Sequence, residues 1–149
     1  MEAVIFIGIQ GSGKSTFFKE RFSDTHIRIN LDMLRTKFRE QTLLDACLKA
    51  KQKFVIDKTN LTSIERQKYI EQARKHGFRV IGYYFQTDVK KALERNGLRN
   101  GKARIPDKGL FGAAKRLQIP TYDEKFDDLF YIRIDENNEF IVDPWKHEV

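Results

Sequence analysis

The sequence has almost no cysteine, little proline and no long apolar run. Cys47 is the one cysteine among 149 residues, so an internal disulfide is excluded and folding does not depend on an oxidising compartment. No apolar stretch approaches the ~20 residues that a membrane-spanning helix requires. The first apolar stretch begins at Met1, without a basic leader before it or a small-residue cleavage site after it. We therefore expect a cytoplasmic protein with no secretory signal and no membrane association.

The composition is that of an ordinary globular domain. Apolar residues make up 40% and charged residues 33% of the sequence, which excludes a disordered chain. A chain of 149 residues has the length of one domain and can bury roughly two-thirds of its unfolded surface. Neither a repeat nor a low-complexity linker divides it. We therefore expect one domain over residues 1–149, and we infer no obligate protein partner.

The net charge of +7 is unevenly distributed along the chain. Residues 90–116 carry nine basic and two acidic side chains, whereas residues 117–149 carry three basic and nine acidic ones. Charge runs usually form solvated faces. A strongly basic segment that is followed directly by an acidic one favours a contact region for polyanions.

Short apolar runs alternate with longer helical patterns. Predicted strands cover residues 3–7, 26–30, 54–56, 78–85 and 129–134, and a turn at 135–138 leads into a last strand at 140–142. Strands that alternate with helices indicate a parallel sheet with right-handed crossovers. The predicted fold is therefore α/β, with a parallel sheet of about four to five strands flanked by helices. A basic helical lid, at roughly residues 95–120, is predicted between the fourth and fifth strands.

The strongest motif follows the first strand. Residues 8–15 match the phosphate-binding pattern G-x-x-x-x-G-K-[ST], here called the P-loop. Its backbone N–H groups surround phosphate oxygens, its lysine adds a charge, and its last hydroxyl ligates Mg²⁺. A Gly/Ser loop that binds nothing is the alternative, but this loop links an apolar strand to a helix. The predicted nucleotide-binding residues are Gly8, Gln10, Gly11, Ser12, Gly13, Lys14, Ser15 and Thr16. The sequence lacks the Asn/Thr-Lys-x-Asp tetrapeptide that reads guanine, so ATP is preferred over GTP.

Two aspartates follow predicted strands at the sheet edge that carries the P-loop. Asp32 lies just beyond the second strand, and Asp57 ends the third. Phosphoryl transfer to a hydroxyl needs a carboxylate base and oxygen ligands around the metal. We assign Asp32 as the base, and Asp57 as an outer-sphere Mg²⁺ ligand or a brace for the P-loop. Alternatively, Asp32 is a helix N-cap and Asp57 bonds to Thr59 or Asn60.

Three arginines complete the candidate site. Arg35 follows Asp32 by one helical turn, so the two are predicted to share a face. Arg35 would anchor a substrate phosphate or the base, with a surface ion pair as the alternative. Arg95 and Arg99, in the lid, would neutralise the transferred phosphate, while a solvated basic helix is the alternative. The predicted catalytic residues are Lys14, Asp32, Arg35 and Arg99.

Together these residues resemble the kinase domain of polynucleotide 5′-hydroxyl kinases, within the wider group of small P-loop kinases. The resemblance covers essentially the whole chain through residues 8–16, 30–35, 57–61, 95–99, 105–106 and 124–127. It implies a P-loop kinase fold, ATP and Mg²⁺ as cofactors, and the 5′-hydroxyl end of RNA or DNA as acceptor. It also implies that Asp32 is the general base, that Arg35 grips the phosphate beside the acceptor hydroxyl, and that Arg95 and Arg99 contact ATP. The lid is one residue longer than the family pattern, which leaves the role of Arg104 open.

Two other functions are compatible with the same motifs. A kinase for a small hydroxyl compound, such as a nucleoside, a sugar acid or an antibiotic, would use the same P-loop and carboxylate. A non-catalytic nucleotide-binding switch would bind nucleotide without transferring phosphate, but it gives no reason for Asp32 and Arg35 to share a face. The sequence contains no Asp-x-Asp-x-Thr phosphatase motif, so 5′ phosphorylation is the only end-processing step we expect from it.

Overall fold

A computed structural model describes residues 1–98 and 105–146. Its strands are β1 (Glu2–Ile7), β2 (Ile27–Ile29), β3 (Phe54–Ile56), β4 (Arg79–Phe85), β5 (Asp128–Ile134) and β6 (Phe140–Pro144). Its helices are α1 (Lys14–Arg21), α2 (Leu31–Leu34), α3 (Lys37–Ala50), α4 (Ser63–Lys75), α5 (Val89–Gly97) and α6 (Asp107–Arg116). A 3₁₀ turn covers Tyr122–Glu124. The predicted site residue Arg99 lies outside the described residues, as does Arg104, whose role the sequence left open.

The strands form one sheet in the order β2-β3-β1-β4-β5-β6. Strands β1 to β5 are parallel, which confirms the predicted α/β class. The sheet has six strands, slightly more than the four to five predicted, because β6 adds an antiparallel hairpin partner to β5. The hairpin turn is closed by the Asp135 carboxylate, which accepts hydrogen bonds from the N–H groups of Asn137 and Glu139. Asn138 supplies the left-handed residue, with φ of 60°.

Strand β1 is buried on both faces because it lies near the middle of the sheet. Ala3, Ile5 and Ile7 pack with side chains of α3 and α4 on one face. Val4 and Phe6 pack on the other face with aromatic residues from α1. This alternation is the period-2 pattern of a strand, and here both phases are apolar. The P-loop thus begins at the end of a strand that is buried on both faces.

Helices α5 and α6 form the described part of the lid and pack against the P-loop. A small apolar cluster joins Ile9 of the P-loop to Ala92 of α5 and to Leu110 and Ala113 of α6. The Asn96 side chain is fully buried and bonds to both backbone groups of Ile105, so it ties the end of α5 to the start of α6. Within the described ranges, no helix has the length and apolar character needed to cross a bilayer.

Candidate active site

The P-loop has glycine at the positions where its surroundings leave no room for a side chain. Gly11 has φ of 76°, and a Cβ there would lie 2.9 Å from the carbonyl oxygen of Ala92 in α5. Gly13 has φ of 98°, and a Cβ there would lie 3.0 Å from the Phe140 ring. Left-handed backbone of this kind strongly favours glycine. The P-loop is therefore held between the lid and the C-terminal hairpin.

Polar groups of the P-loop fit a phosphate chain. The ammonium group of Lys14 donates to the carbonyl oxygens of Gly8 at 2.9 Å and Ile9 at 2.7 Å, so it folds back over the loop. Helix α1 begins at Lys14 and directs its N-terminal N–H groups to the same place. The Ser12 hydroxyl oxygen is buried and has no hydrogen-bond partner within the described residues. A buried hydroxyl of this kind can donate to a phosphate oxygen.

Ser15 and Asp57 meet beside the P-loop, as oxygen ligands of a hard cation would. The Ser15 hydroxyl donates to Oδ2 of Asp57 at 3.5 Å, and the Asp57 side chain is 2% exposed. No cluster of three or more His, Cys, Asp or Glu side chains suited to a metal occurs in the described part of the chain. Mg²⁺ is commonly held by only one or two protein oxygens together with substrate phosphates, so this pair fits it.

Arg28 is a site residue that the sequence analysis missed. Its Nε donates to Oδ2 of Asp57 at 2.7 Å, and its Nη2 donates to the Ser15 hydroxyl at 2.9 Å. These contacts replace the bond from Asp57 to Thr59 or Asn60 that the sequence left open. The one sequence signal for Arg28 was a charged residue in a short strand that is otherwise apolar, and this signal does not identify the residues that its side chain contacts.

Asp32 is free to act on a ligand because another residue caps its helix. The Asn30 side chain accepts from the N–H of Met33 at 2.9 Å and donates to the backbone oxygen of Asp57 at 2.9 Å. Asn30 thus caps α2 and fixes it to the end of β3. Asp32, in the first turn of α2, is exposed. The N-cap alternative for Asp32 is therefore wrong.

One cleft collects six of the predicted site residues. Its lining consists of Gln10, Gly11, Lys14, Ser15, Asn30, Asp32, Asp57, Lys58 and Thr59. The candidate phosphate-binding lysine, the two metal-ligand candidates and the candidate base thus face one space. This is the arrangement that transfer of a phosphoryl group to a hydroxyl requires.

Arg35 does not follow the helical geometry predicted for it. Helix α2 ends at Leu34, and Arg35 has φ of 75°, so one helical turn does not connect Asp32 to Arg35. Arg35 is exposed and is absent from the described lining of the cleft. Asp32 and Arg35 therefore do not share a helix face, and that prediction is wrong. A role for Arg35 in gripping the acceptor stays a prediction.

Arg95 connects the lid to the P-loop. Its Nη1 donates to the carbonyl oxygen of Gly11 at 2.9 Å. On the side of the P-loop near Ser12, Arg95 also lines a second cavity, with Gln86, Asp88, Lys91 and Arg133 among its other walls. The lid arginine therefore lies at the P-loop, where it would neutralise phosphate charge, rather than on a solvated face.

Lys58 also lines the cleft, and the sequence analysis assigned it no role. Its ammonium donates to the Tyr69 hydroxyl at 2.7 Å and to Oε2 of Glu40 at 3.3 Å. Tyr69 in turn donates to Oε1 of Glu40 at 2.5 Å. Burial, and then the hydrogen bond and charge of Glu40, raise the pKa of Tyr69, so it stays a neutral donor. This network fixes the loop after β3 against α3 and α4.

A buried ion pair supports the loop from below. The fully buried Arg66 of α4 donates to both carboxylate oxygens of Glu124, at 2.7 and 3.1 Å. Its Nη1 also donates to the carbonyl oxygens of Asn60 at 2.8 Å, Leu61 at 3.2 Å and Gln118 at 3.1 Å. Arg66 thereby fixes the backbone that follows Asp57.

The chain is similar to proteins that are named as bifunctional polynucleotide phosphatase/kinases. The AAA domain family matches residues 4–118. A bifunctional polynucleotide phosphatase/kinase of Schizosaccharomyces pombe is 28% identical over 129 residues, which are 84% of this chain and 32% of that protein. A protein of Acanthamoeba polyphaga mimivirus, also named for bifunctional polynucleotide phosphatase/kinase activity, is 27% identical over 97% of this chain and 36% of that protein. The chain spans about a third of the length of these curated relatives, and the predicted resemblance to polynucleotide kinases is confirmed.

Solved structures share the fold at low identity. A gluconokinase from Sinorhizobium meliloti 1021 has a TM-score of 0.61 and 17% identity, over 89% of this chain and 82% of that chain. Kti12 from Chaetomium thermophilum, solved in complex with ADP-AlF3, has a TM-score of 0.67 and 16% identity, over 91% of this chain and 92% of that chain. At these identities the likeness shows the fold alone.

Proposed function

This chain belongs to the AAA domain family and is a P-loop kinase, and from that premise we propose that it transfers the γ-phosphate of ATP to the 5′-hydroxyl end of RNA or DNA. One observation carries the proposal: the exposed carboxylate of Asp32 lines the same cleft as Lys14 and Ser15. A switch that only binds nucleotide has no use for a carboxylate there.

The nucleotide side of the reaction uses the P-loop. Its N–H groups and Lys14 bind the β- and γ-phosphates, and Arg95 adds positive charge from the lid. Ser15 and Asp57 would hold Mg²⁺, which supplies charge neutralisation on the phosphate oxygens. Arg99 is proposed to join Arg95 in this role.

The acceptor side uses Asp32 as general base. Its carboxylate orients the 5′-hydroxyl and accepts the proton as the acceptor oxygen bonds to the γ-phosphorus. The bond from the γ-phosphorus to the bridging oxygen breaks, and ADP leaves with that electron pair. Arg35 is proposed to hold the phosphate next to this hydroxyl.

An exposed basic and aromatic segment follows Asp32 and supports a polynucleotide acceptor. Arg35, Lys37 and Arg39 are all exposed, and the Phe38 side chain between them is 80% exposed. Basic groups that flank an open aromatic ring are suited to phosphates and an unstacked base. The two curated relatives, both named as polynucleotide kinases, point to the same acceptor class.

A labelling panel tests the proposal. The protein is incubated with γ-³²P-ATP and Mg²⁺ together with 5′-hydroxyl RNA, 5′-hydroxyl DNA, the same strands already 5′-phosphorylated, nucleosides and gluconate. We expect label on the 5′-hydroxyl strands and none on the 5′-phosphorylated ones. Label on nucleosides or gluconate instead would establish a small-molecule kinase, and nucleotide binding without transfer would establish a switch.

Asp32→Asn tests the base assignment. We expect kcat to fall by about 10²–10⁴-fold, because the amide cannot accept the proton, while the affinity for ATP stays close to normal. Asp24→Asn is the matched control, since Asp24 is also exposed but lies after α1 and away from the cleft. Near-normal turnover by Asp32→Asn would show that Asp32 is not the base.

A further inference from the structure

The position between the two metal-ligand candidates already holds a positively charged group of the chain. The guanidinium of Arg28 lies 2.7 Å from Oδ2 of Asp57 through Nε and 2.9 Å from the Ser15 hydroxyl through Nη2. Both oxygens therefore direct electron density at Arg28. The buried Asp57 carboxylate needs such a partner, because an unpaired charge at 2% exposure is strongly disfavoured.

A metal ion held by the Ser15 hydroxyl, with Asp57 as a ligand through a bound water, needs the space that Arg28 occupies. Mg²⁺ approaches its direct oxygen ligands to about 2.0–2.1 Å and keeps a near-octahedral shell of further ligands. With Nη2 2.9 Å from the Ser15 hydroxyl and Nε 2.7 Å from Oδ2 of Asp57, the guanidinium lies where that shell would form. Two positive charges at such short range also repel each other.

We propose that Arg28 competes with the metal of the Mg²⁺–nucleotide complex for Ser15 and Asp57, so that metal binding requires the guanidinium to leave. The inference rests on the nucleotide-binding part of the proposed function and not on the identity of the acceptor. Arg28 thereby neutralises Asp57 in the nucleotide-free protein and sets the Mg²⁺ concentration at which nucleotide binds.

The fold gives the Arg28 side chain a place to go. Arg28 is on β2, the edge strand of the sheet, and its side chain is 25% exposed. Its guanidinium carbon already lies 5.9 Å from the centre of the Phe18 ring. Rotation of the side chain toward solvent would keep this cation–π contact within reach while it releases both oxygens.

Calorimetric titration of ADP at a series of Mg²⁺ concentrations tests the inference without an acceptor. Arg28→Met removes the charge and keeps an unbranched side chain. We expect the Mg²⁺ concentration for half-maximal ADP binding to fall by roughly 10- to 100-fold, the range expected when a charged hydrogen-bonding partner is removed. In Arg28→Met the unfolding midpoint without nucleotide should be lower than in the unchanged protein, because Asp57 loses its partner. Adding Mg²⁺–ADP should raise the midpoint of Arg28→Met by more than it raises that of the unchanged protein.

Two further variants make the result decisive. Arg21→Met is the matched control, since Arg21 also lies over an aromatic ring, 5.4 Å from the centre of Phe17, but within the described residues it is Arg28 and not Arg21 that bonds to Ser15 and Asp57. It should leave the Mg²⁺ requirement unchanged. Arg28→Lys keeps the positive charge but loses the planar guanidinium that contacts both oxygens, so the Mg²⁺ requirement should fall by less than in Arg28→Met. It replaces Arg28→Met as the test variant if that variant does not fold.

Other outcomes overturn the inference. A higher Mg²⁺ requirement in Arg28→Met would show that Arg28 positions Asp57 for the metal, and an unchanged requirement would show that the metal does not use this position. If the unchanged protein does not label 5′-hydroxyl oligonucleotides while Arg28→Met shows the expected fall in Mg²⁺ requirement, the proposed acceptor is wrong and the inference about Arg28 stands.

Discussion

Replacing Arg66 by methionine is expected to destabilise the fold far more than replacing Arg74 on the same helix. Arg66 is fully buried and pairs with Glu124, whose side chain is 9% exposed. Arg74 pairs with Asp127 at the surface, with side chains 46% and 34% exposed. Removing one partner of a buried ion pair costs about 3–5 kcal/mol, because the remaining charge stays in a poorly solvated site. An exposed pair contributes about 0–1 kcal/mol.

Thermal unfolding in the absence of nucleotide measures this difference. For a protein near 150 residues, each kcal/mol corresponds to about 2–4 °C in Tm, so Arg66→Met should lower Tm by roughly 6–20 °C. Arg74→Met should lower Tm by at most about 4 °C on the same scale. Adding Glu124→Gln to Arg66→Met should restore part of the loss, since it removes the unpaired carboxylate. Equal losses for Arg66→Met and Arg74→Met would refute the assignment of Arg66 as a buried support of the site.

Two further predictions concern the acceptor and the pH dependence of stability. Phe38→Ala should raise the KM for a 5′-hydroxyl oligonucleotide by about 5- to 100-fold, the range for loss of one stacked base, and leave the KM for ATP unchanged. Ile64→Ala is the control, because Ile64 is a similarly exposed apolar residue. An equal rise in KM for both variants would contradict a stacking role for Phe38. Burial lowers the pKa of His26 in the folded protein from its ordinary 6.5, despite its bond to Glu2. Because the unfolded chain then binds the proton more readily than the folded protein, the free energy of unfolding should fall as pH drops below about 6.5. Urea unfolding from pH 7 to pH 5 should show a smaller fall for His26→Gln, and an identical fall would contradict this.

The P-loop and the parallel strands could be predicted because their signals are local. The spacing of Gly8, Gly13 and Lys14 defines the P-loop, and its position between an apolar strand and a helix fixes where it lies in the sheet. Asp32 and Asp57 follow from the rule that the carboxyl ends of parallel strands share one edge. These parts of the site need no knowledge of side-chain packing.

The contacts of Arg28 and the backbone conformation at Arg35 could not be predicted, because neither follows from the local sequence pattern. Arg28 lies on β2, which is next to β3 in the sheet, and from there its side chain reaches Asp57 just after β3 and Ser15 in α1. Arg35 was misplaced because α2 ends at Leu34, after one turn, and Arg35 has φ of 75°. The helical spacing assumed between Asp32 and Arg35 therefore does not extend to Arg35.

The contact between Gly13 and Phe140 has a consequence for any shortened form of the protein. The family match ends at residue 118, yet the rings and branched chains that back Gly13 come from Ile134 and Phe140, beyond that boundary. Phe140 also packs on Phe17 in α1, with ring centres 5.0 Å apart. A fragment trimmed to the matched region would keep every motif residue of the nucleotide loop but lose the wall behind it. The region that matches the family is therefore shorter than the region that forms the P-loop and its supporting contacts.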